Sequence, residues 1–473
     1  MMTKFCISRR LVITIIIAAL SGGCSLAPKY ERPVAPVPNQ WPTGTAYEET
    51  KRTVVAPAAT DLPWQEFFTD ERLKEIIAMA LKNNRDLRLA ALNVERARAL
   101  YGIQRAELLP AVSAAGYVNN GRLPADLSTT GQDTTFSQYN VNFGITAWEI
   151  DFFGRIRSLK DRALEEYLAT DQTRRSAQIL LVSTVANAYL TLAADRESLA
   201  LTASTLESQE SAYKLIRKRY DVGLASELDL RRAQSQVDTA RGDVARYTQM
   251  AAQDENALRL LVGSQVPQEL LPPELGKLRP IRDISPGLSS EVLLKRPDVL
   301  AAEHRLKAAN ANIGAARAAF FPRISLTTSF GTASAQLSGL FKDGSSTWNF
   351  APQIVLPIFD ARMWSAYDVT KAEKDITLTQ YELTIQAAFR ETADALAIQG
   401  TVNRQIEAQE SLVNAFAATY RISQARYTKG IDSYLSVLDA QRSLYSAQKG
   451  LISLQLFRFA NEVAFYKALG GGA

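Results

Sequence analysis

Residues 155–222 read RIRSLKDRALEEYLATDQTRRSAQILLVSTVANAYLTLAADRESLALTASTLESQESAYKLIRKRYDV, without one proline or glycine. A second stretch, 362–429, has no proline and one glycine, Gly400. Helices in globular proteins average about 11–12 residues. At 1.5 Å per residue, about 60 residues make a rod of roughly 90 Å. Each stretch is followed by another helical run, 226–262 and 432–469. Apolar residues keep helical spacing at Val182, Val185, Ala186, Tyr189 and Ala193, and again at Leu444, Leu451 and Leu454. The pattern predicts two very long antiparallel helical hairpins. Their many alanines suit close helix contact in a coiled-coil-like wall.

Segments of period two lie between the helices. Ile324, Leu326, Thr328 and Phe330 alternate with Ser325, Thr327, Ser329 and Gly331. Val141, Phe143, Ile145 and Ala147 alternate with Asn140, Asn142, Gly144 and Thr146. Trp348, Phe350, Ile354 and Leu356 form a third set, interrupted by Pro352, and 112–118 a weaker fourth. Small polar residues on one face and apolar residues on the other suit a transmembrane barrel, lipid outside and water inside. The loops 121–135 and 336–346 separate the members of each pair and are expected outside the cell.

The two halves are related. Asp86, Ala90, Gly102, Arg105, Pro110 and Ser113 match Asp298, Ala302, Gly314, Arg317, Pro322 and Ser325 at a constant offset. Tyr213, Arg219, Tyr220, Gly223, Ser226 and Leu228 match Tyr420, Arg426, Tyr427, Gly430, Ser433 and Leu435 at another. Pro110 and Pro322 divide helix from strand. Gly223 and Gly430 sit at the hairpin bends, where positive φ is expected, and Ser226 and Ser433 are expected to cap the returning helices. Each half therefore supplies two strands and one hairpin. Four strands cannot close a barrel, and an open edge is not tolerated in lipid. Two copies give eight strands and three give twelve; at this level the number stays open.

The N-terminus reads as an export signal. Lys4, Arg9 and Arg10 precede the apolar run LVITIIIAAL at 11–20, which is shorter than the roughly 20 residues of a spanning helix. Ser21-Gly22-Gly23-Cys24 then resembles a lipobox, although Ser21 stands where leucine is usual. Acylated Cys24 would be a stable anchor, and Ser25 fits outer-membrane sorting. Three of the 54 Lys and Arg precede Cys24, leaving 51 against 49 Asp and Glu. This near balance gives no argument for nucleic acid. Cys6 lies in the signal, so the mature chain has no cysteine pair for a disulfide. Residues 25–63, with seven prolines, read as an extended arm.

Enzyme chemistry finds no support. The single histidine, His304, sits between Glu303 and Arg305 on an amphipathic helix and reads as a surface or packing residue. There is no metal-ligand spacing, P-loop or nucleophile elbow. No cofactor is expected beyond lipid on Cys24.

The stretches CSLAPKYERP from Cys24, NNRDLRLAALNVERARA from Asn83, IDFFGRIRSLKDRALEEYLAT from Ile150, RPDVLAAEHRL from Arg296, NIGAARAAFFPRISL from Asn312, LPIFD from Leu356 and DAQRSL from Asp439 carry a resemblance over nearly the whole mature chain. The chain resembles the TolC-type outer-membrane factors, in the OprM-type (NodT) lipoprotein branch of multidrug efflux. That resemblance implies a mainly α protomer with transmembrane β. It implies a homotrimer whose twelve-stranded barrel in the outer membrane joins a periplasmic α-helical barrel. It implies a passive exit duct that works with a periplasmic membrane-fusion adaptor and an inner-membrane resistance-nodulation-division antiporter. Ducts for type I protein secretion or metal-ion efflux share the fold. Past the signal, methionine is confined to Met79, Met250 and Met363, which favours organic cargo over metal. A purely structural trimeric coiled coil would need neither the paired strands nor the duplication.

The expected organisation is a signal peptide over 1–23, a lipidated arm over 24–63, and two repeats. The first repeat, 64–270, has strands near 111–120 and 137–150 and a hairpin over 155–262. The second, 271–473, has strands near 323–332 and 347–358 and a hairpin over 362–469. By the resemblance, Leu435 and Asp439 form constricting rings at the periplasmic gate and Arg442 joins a charged network. Leu435 and Asp439 are four apart and share a helix face; in the first repeat Arg232 and Ser235 replace the aspartate and arginine. The same resemblance makes Arg219, Tyr220, Gly223, Arg426, Tyr427 and Gly430 the adaptor-docking turns, and the same residues equally suit the shaping of a turn.

Overall fold

The computed structural model describes residues 25–47, 62–279, 281–282, 284 and 289–471. The expected signal peptide, the lipidation residue Cys24 and part of the arm, 48–61, lie outside the described residues. The chain is mostly helical, with one antiparallel sheet of order β1-β2-β3-β4. In chain order the elements are α1 Glu71–Asn83, α2 Arg85–Ala106, β1 Val112–Leu123, β2 Thr134–Glu149, α3 Arg155–Asp221 and α4 Glu227–Val262. The second set is α5 Pro297–Ala318, β3 Arg323–Ser334, β4 Ser346–Val355, α6 Ala361–Thr428 and α7 Tyr434–Ala468. Helices α3 and α6 run unbroken for 67 and 68 residues, as their lack of breakers predicts. Helix α3 is also apolar enough to cross a membrane. Val182, Val185, Ala186, Tyr189 and Ala193 of that stretch are buried in the core, which accounts for its apolarity.

Two compact units arise from interleaved segments. One comprises 1–34, 93–170 and 301–381, the other 35–92, 171–300 and 382–473. The first holds the sheet. Phe143 pairs with Phe330, and Phe330 with Trp348, so these three share one face in register. All are more than half exposed. One position along, Ala115, Asn142, Gly331 and Thr347 form a row on the other face. Strands β1 and β2 extend further toward their loop than the expected 111–120 and 137–150. Strand β4 stops before the expected 358, because Pro357 has no N–H to continue the ladder. Pro352 is accommodated within β4, at an edge of the sheet. The expected alternation of β2 does not reach Ala147. A bulge falls between Ile145 and Trp148, and Ala147 takes φ 51°.

In the same unit the arm runs antiparallel to α5. Arg32 donates to both oxygens of Glu303, at 3.1 and 2.5 Å, and Tyr30 donates to it at 3.3 Å. Asn310 donates to the Pro28 carbonyl at 2.7 Å, and Arg317 to that of Leu26 at 3.3 Å. A Cβ on Gly314 would stand 2.8 Å from the Cα of Ala27. Glu303 is buried, which disfavours its charge, yet hydrogen bonds from Arg32 and Lys307 outweigh this and hold the carboxyl below its ordinary pKa.

The second unit contains the main core. Phe67 stacks on Tyr466 with centroids 4.0 Å apart, and the buried Tyr466 hydroxyl donates to the Leu62 carbonyl at 2.7 Å. Around them pack Ile76, Ile77, Tyr189, Leu258 and Val463. Both repeats close here by the same device. Asn84 donates to the Leu261 carbonyl at 2.8 Å, and Arg296 to the Ala468 carbonyl at 2.6 Å. Donors and acceptors stand at equivalent places in the two repeats. Each satisfies a terminal helix carbonyl. Arg296 is 7% exposed and also pairs with Asp298 at 2.7 Å and Glu391 at 3.1 Å. Arg296→Ala is expected to cost about 2 kcal/mol, because it removes charge-assisted hydrogen bonds and leaves the buried Ala468 carbonyl without its donor. Asn84→Ala is expected to cost about 1 kcal/mol. Chemical denaturation of the two variants checks the order.

Candidate gate and hairpin turns

Each long helix ends in a Schellman turn. In the first, Gly223 N–H donates to the Tyr220 carbonyl at 2.9 Å and Leu224 N–H to that of Arg219 at 2.7 Å. In the second, Gly430 N–H donates to Tyr427 at 2.9 Å and Ile431 N–H to Arg426 at 2.9 Å. The two glycines have φ 75° and 74°, the left-handed conformation this closure requires. The predicted docking residues are thus also the residues that cap both helices. Ser226 caps α4 by accepting from the Asp229 N–H at 3.1 Å. Ser433 does not do the same for α7. It occupies the N-cap with extended backbone, but its side chain makes no cap hydrogen bond.

Side chains join the turns. The Arg219 guanidinium lies over the Tyr427 ring, 5.0 Å from its centroid. Tyr427 packs on Tyr434 at 5.3 Å. Tyr434 is buried with Ile216, Ala233, Val437 and Leu438 in a small core that takes residues from both hairpins. Burial raises its hydroxyl pKa. In the second turn Arg426 grips Asp432 at 2.6 and 3.1 Å. Its hydrogen bonds hold the Asp432 carboxyl below its ordinary pKa. Val222, Leu224, Ile431 and Tyr220 remain exposed.

The predicted gate residues lie just beyond this core. Leu435 is 42% exposed, one turn from Asp439 on α7. Asp439 accepts from Arg442 at 2.8 Å, and both are exposed. The face bearing Leu435, Asp439 and Arg442 is therefore uncovered in one chain, while Tyr434, Val437 and Leu438 hold the helix from behind.

Sequence reasoning missed two polar clusters in this unit. Tyr445 on α7 donates to Asp243 on α4 at 3.1 Å and shares a 2.9 Å hydrogen bond with Thr202 on α3. Asp195 on α3 and Asp254 on α4 form a carboxyl pair. Burial, then the hydrogen bond and charge of Asp195, push Asp254 up to about 6. Burial also raises Asp195, against the hydrogen bond from Asp254 and the charge of Arg246. No spacing rule marks either cluster, since each joins residues from different helices. Among the described residues no group of histidine, cysteine and acidic side chains could hold a metal ion.

Comparison with known proteins agrees over the whole length. The family described as "Outer membrane efflux protein" matches residues 76–264 and 288–471. The toluene efflux pump outer membrane protein TtgC of Pseudomonas putida is 48% identical over 466 residues, covering 98% of this chain and 96% of its own. The antibiotic efflux pump outer membrane protein ArpC of Pseudomonas putida has the same identity and coverage. Among solved structures, a membrane protein from Pseudomonas aeruginosa aligns with TM-score 0.88 at 44% identity, covering 95% of this chain and 98% of that one. The open state of the Neisseria gonorrhoeae MtrE outer membrane channel aligns with TM-score 0.84 at 38% identity, covering 95% and 98%.

Gly430→Ala is expected to cost about 1 kcal/mol from the forced left-handed residue, with faster hydrogen exchange at the amides of 430 and 431. The carboxyl pair binds its proton more tightly folded than unfolded. Its stabilisation is therefore full below the ordinary carboxylate pKa and is lost as pH rises through about 6. The fall in thermal midpoint between pH 5 and pH 8 is expected to shrink in Asp254→Asn.

Proposed function

The chain belongs to the outer membrane efflux protein family, and from that premise we propose that it is the exit duct of a tripartite efflux pump for toxic organic compounds. It is an outer-membrane channel whose helices extend into the periplasm. Transport is passive and uses no catalytic residue or cofactor.

The observation that carries the reading is the four-stranded sheet. Strands β1 and β4 each lack a neighbour on one side, and an unpaired strand edge is not tolerated in a bilayer. Copies of the chain must supply the missing partners, and three copies give the twelve-stranded barrel. The aromatic row Phe143, Phe330 and Trp348 then faces lipid, and the row of Asn142 and Thr347 lines the lumen. Helices also have bare apolar residues that a neighbouring copy would cover: Leu100 and Ile103 on α2, Trp364 and Val369 on α6.

In the trimer three copies of Leu435 form an apolar ring and three of Asp439 an acidic ring, with Arg442 bracing the aspartates. The turns bearing Arg219, Tyr220, Gly223, Arg426, Tyr427 and Gly430 meet a periplasmic adaptor. The adaptor links them to an inner-membrane antiporter that supplies energy. Cys24 carries the lipid anchor. The toluene and antibiotic pumps of the relatives favour organic cargo over protein or metal.

Asp439→Ala is expected to raise single-channel conductance in planar bilayers and shorten closed dwell times. Deleting the gene is expected to raise ethidium accumulation in cells lacking a redundant duct, and restoring it to reverse the rise. Unchanged conductance removes Asp439 from the gate. Unchanged accumulation points the duct to another cargo.

A further inference from the structure

The arm follows a single stripe of α5. Arg32 and Tyr30 bind Glu303, and the Lys307 ammonium lies 5.3 Å over the Tyr30 ring. Pro28 is held by Asn310, Ala27 crosses Gly314, and Leu26 is held by Arg317. The stripe 303, 307, 310, 314, 317 advances by alternate steps of four and three, the spacing of one helix face. As the arm number falls from 32 to 26, the α5 number rises from 303 to 317. Phe321 lies three residues past the end of α5 at Ala318, just beyond this stripe. In the sequence Ser25 and Cys24 precede Leu26.

Phe321 opens onto a cavity. It stacks on Phe153 with centroids 4.9 Å apart and is 41% exposed. The two rings, with Phe152, Ala319, Pro322 and Val355, line a space of about 380 Å³. It lies where β2 ends, β3 begins and α3 starts. A second contact places it beside the end of the track. Gly314 lies against both Ala27 and Ser158 of α3. One turn further along each helix, Ala318 and Arg155 line the cavity. One turn is about 5.4 Å.

The charges at its rim are already paired. Glu149, with its side chain 9% exposed, accepts from Arg155 at 2.8 Å twice and pairs with Arg323 at 2.5 Å. Asp151 is held by Arg157 at 3.2 Å. The arginines are therefore spent on carboxylates, which disfavours an anionic headgroup as occupant. What remains is an aromatic and aliphatic surface, suited to hydrocarbon.

We infer that this cavity receives an acyl chain carried by Cys24, so that the lipid is seated against the protein at the end of the arm's track. The inference rests on the reading of Cys24 as the lipidated residue. The arm's hydrogen bonds set the register, and Phe153 and Phe321 receive the chain where strand passes into helix.

The test is photocrosslinking. Cells are fed a diazirine-bearing palmitate, the purified trimer is irradiated, and adducts are mapped by mass spectrometry. Intact mass reports separately whether Cys24 is acylated. The expected result is a crosslink joining the Cys24 peptide to peptides containing Phe153 or Phe321. It is expected to be lost in Cys24→Ser and strongly reduced in Ala319→Trp, which fills the cavity while leaving the acylated mass intact. An acylated protein whose crosslinks fall elsewhere overturns the seat and leaves the anchor standing. Adducts of unattached phospholipid at Phe321 in Cys24→Ser at wild-type yield also overturn it, because the cavity then takes bilayer lipid. An unacylated Cys24 overturns the anchor reading, and the seat with it.

Discussion

A backbone amide in hydrocarbon has no water to fall back on, and the four-stranded sheet is arranged around that constraint. Within one chain the ladder β1 to β4 is continuous, yet its two outer strands stay half-paired. Satisfying them requires other copies, and the rest of the architecture follows from assembly. The strands alternate so that Phe143, Phe330 and Trp348 share one face while Asn142, Gly331 and Thr347 share the other. Pro352 lies within β4, one of the two strands that another copy must pair.

Duplication supplies this architecture economically. The clasps of Asn84 on Leu261 and Arg296 on Ala468 do the same work at the same place, with different side chains. The asparagine spans by its amide; the arginine reaches further and must have Asp298 and Glu391 beside it. Elsewhere the copies have diverged in environment more than in sequence. Gly102 and Gly314 are equivalent, but a Cβ on Gly102 would meet nothing within 4 Å, while Gly314 is needed for the passage of Ala27. There is one arm for two equivalent helices. Among the described residues the arm covers α5 and not α2.

Much of this was legible in the residues. The absence of breakers over 155–222 set the length of α3, and the matched glycines at 223 and 430 marked both bends. Alternation located the strands, since a barrel wall keeps period two on both faces. It failed at Ala147, because a bulge depends on what the neighbouring strand offers, here the Thr327 hydroxyl accepting the Ala147 N–H. It also misplaced the end of β4, where Pro357 outweighed the apolar Leu356. Ser433 shows that a capping residue in the right place need not cap. The contact of Asp439 with Arg442 was legible because the two are three apart on one helix. The contact of Arg219 with Tyr427, and the pairing of Asp195 with Asp254, join distant segments. Nothing in the local pattern announces them.

The two turns are alike in backbone and unlike in charge. The second holds an internal ion pair between Arg426 and Asp432. At the equivalent place the first has Ala225, and its arginine lies on an aromatic ring instead. The sequence adds to the difference: Asp221 and Val222 of the first turn stand where the second has Thr428 and Lys429, so around a trimer axis the six loops would alternate between two charge patterns. Anything that met all six loops at once would face two classes of site, three of each.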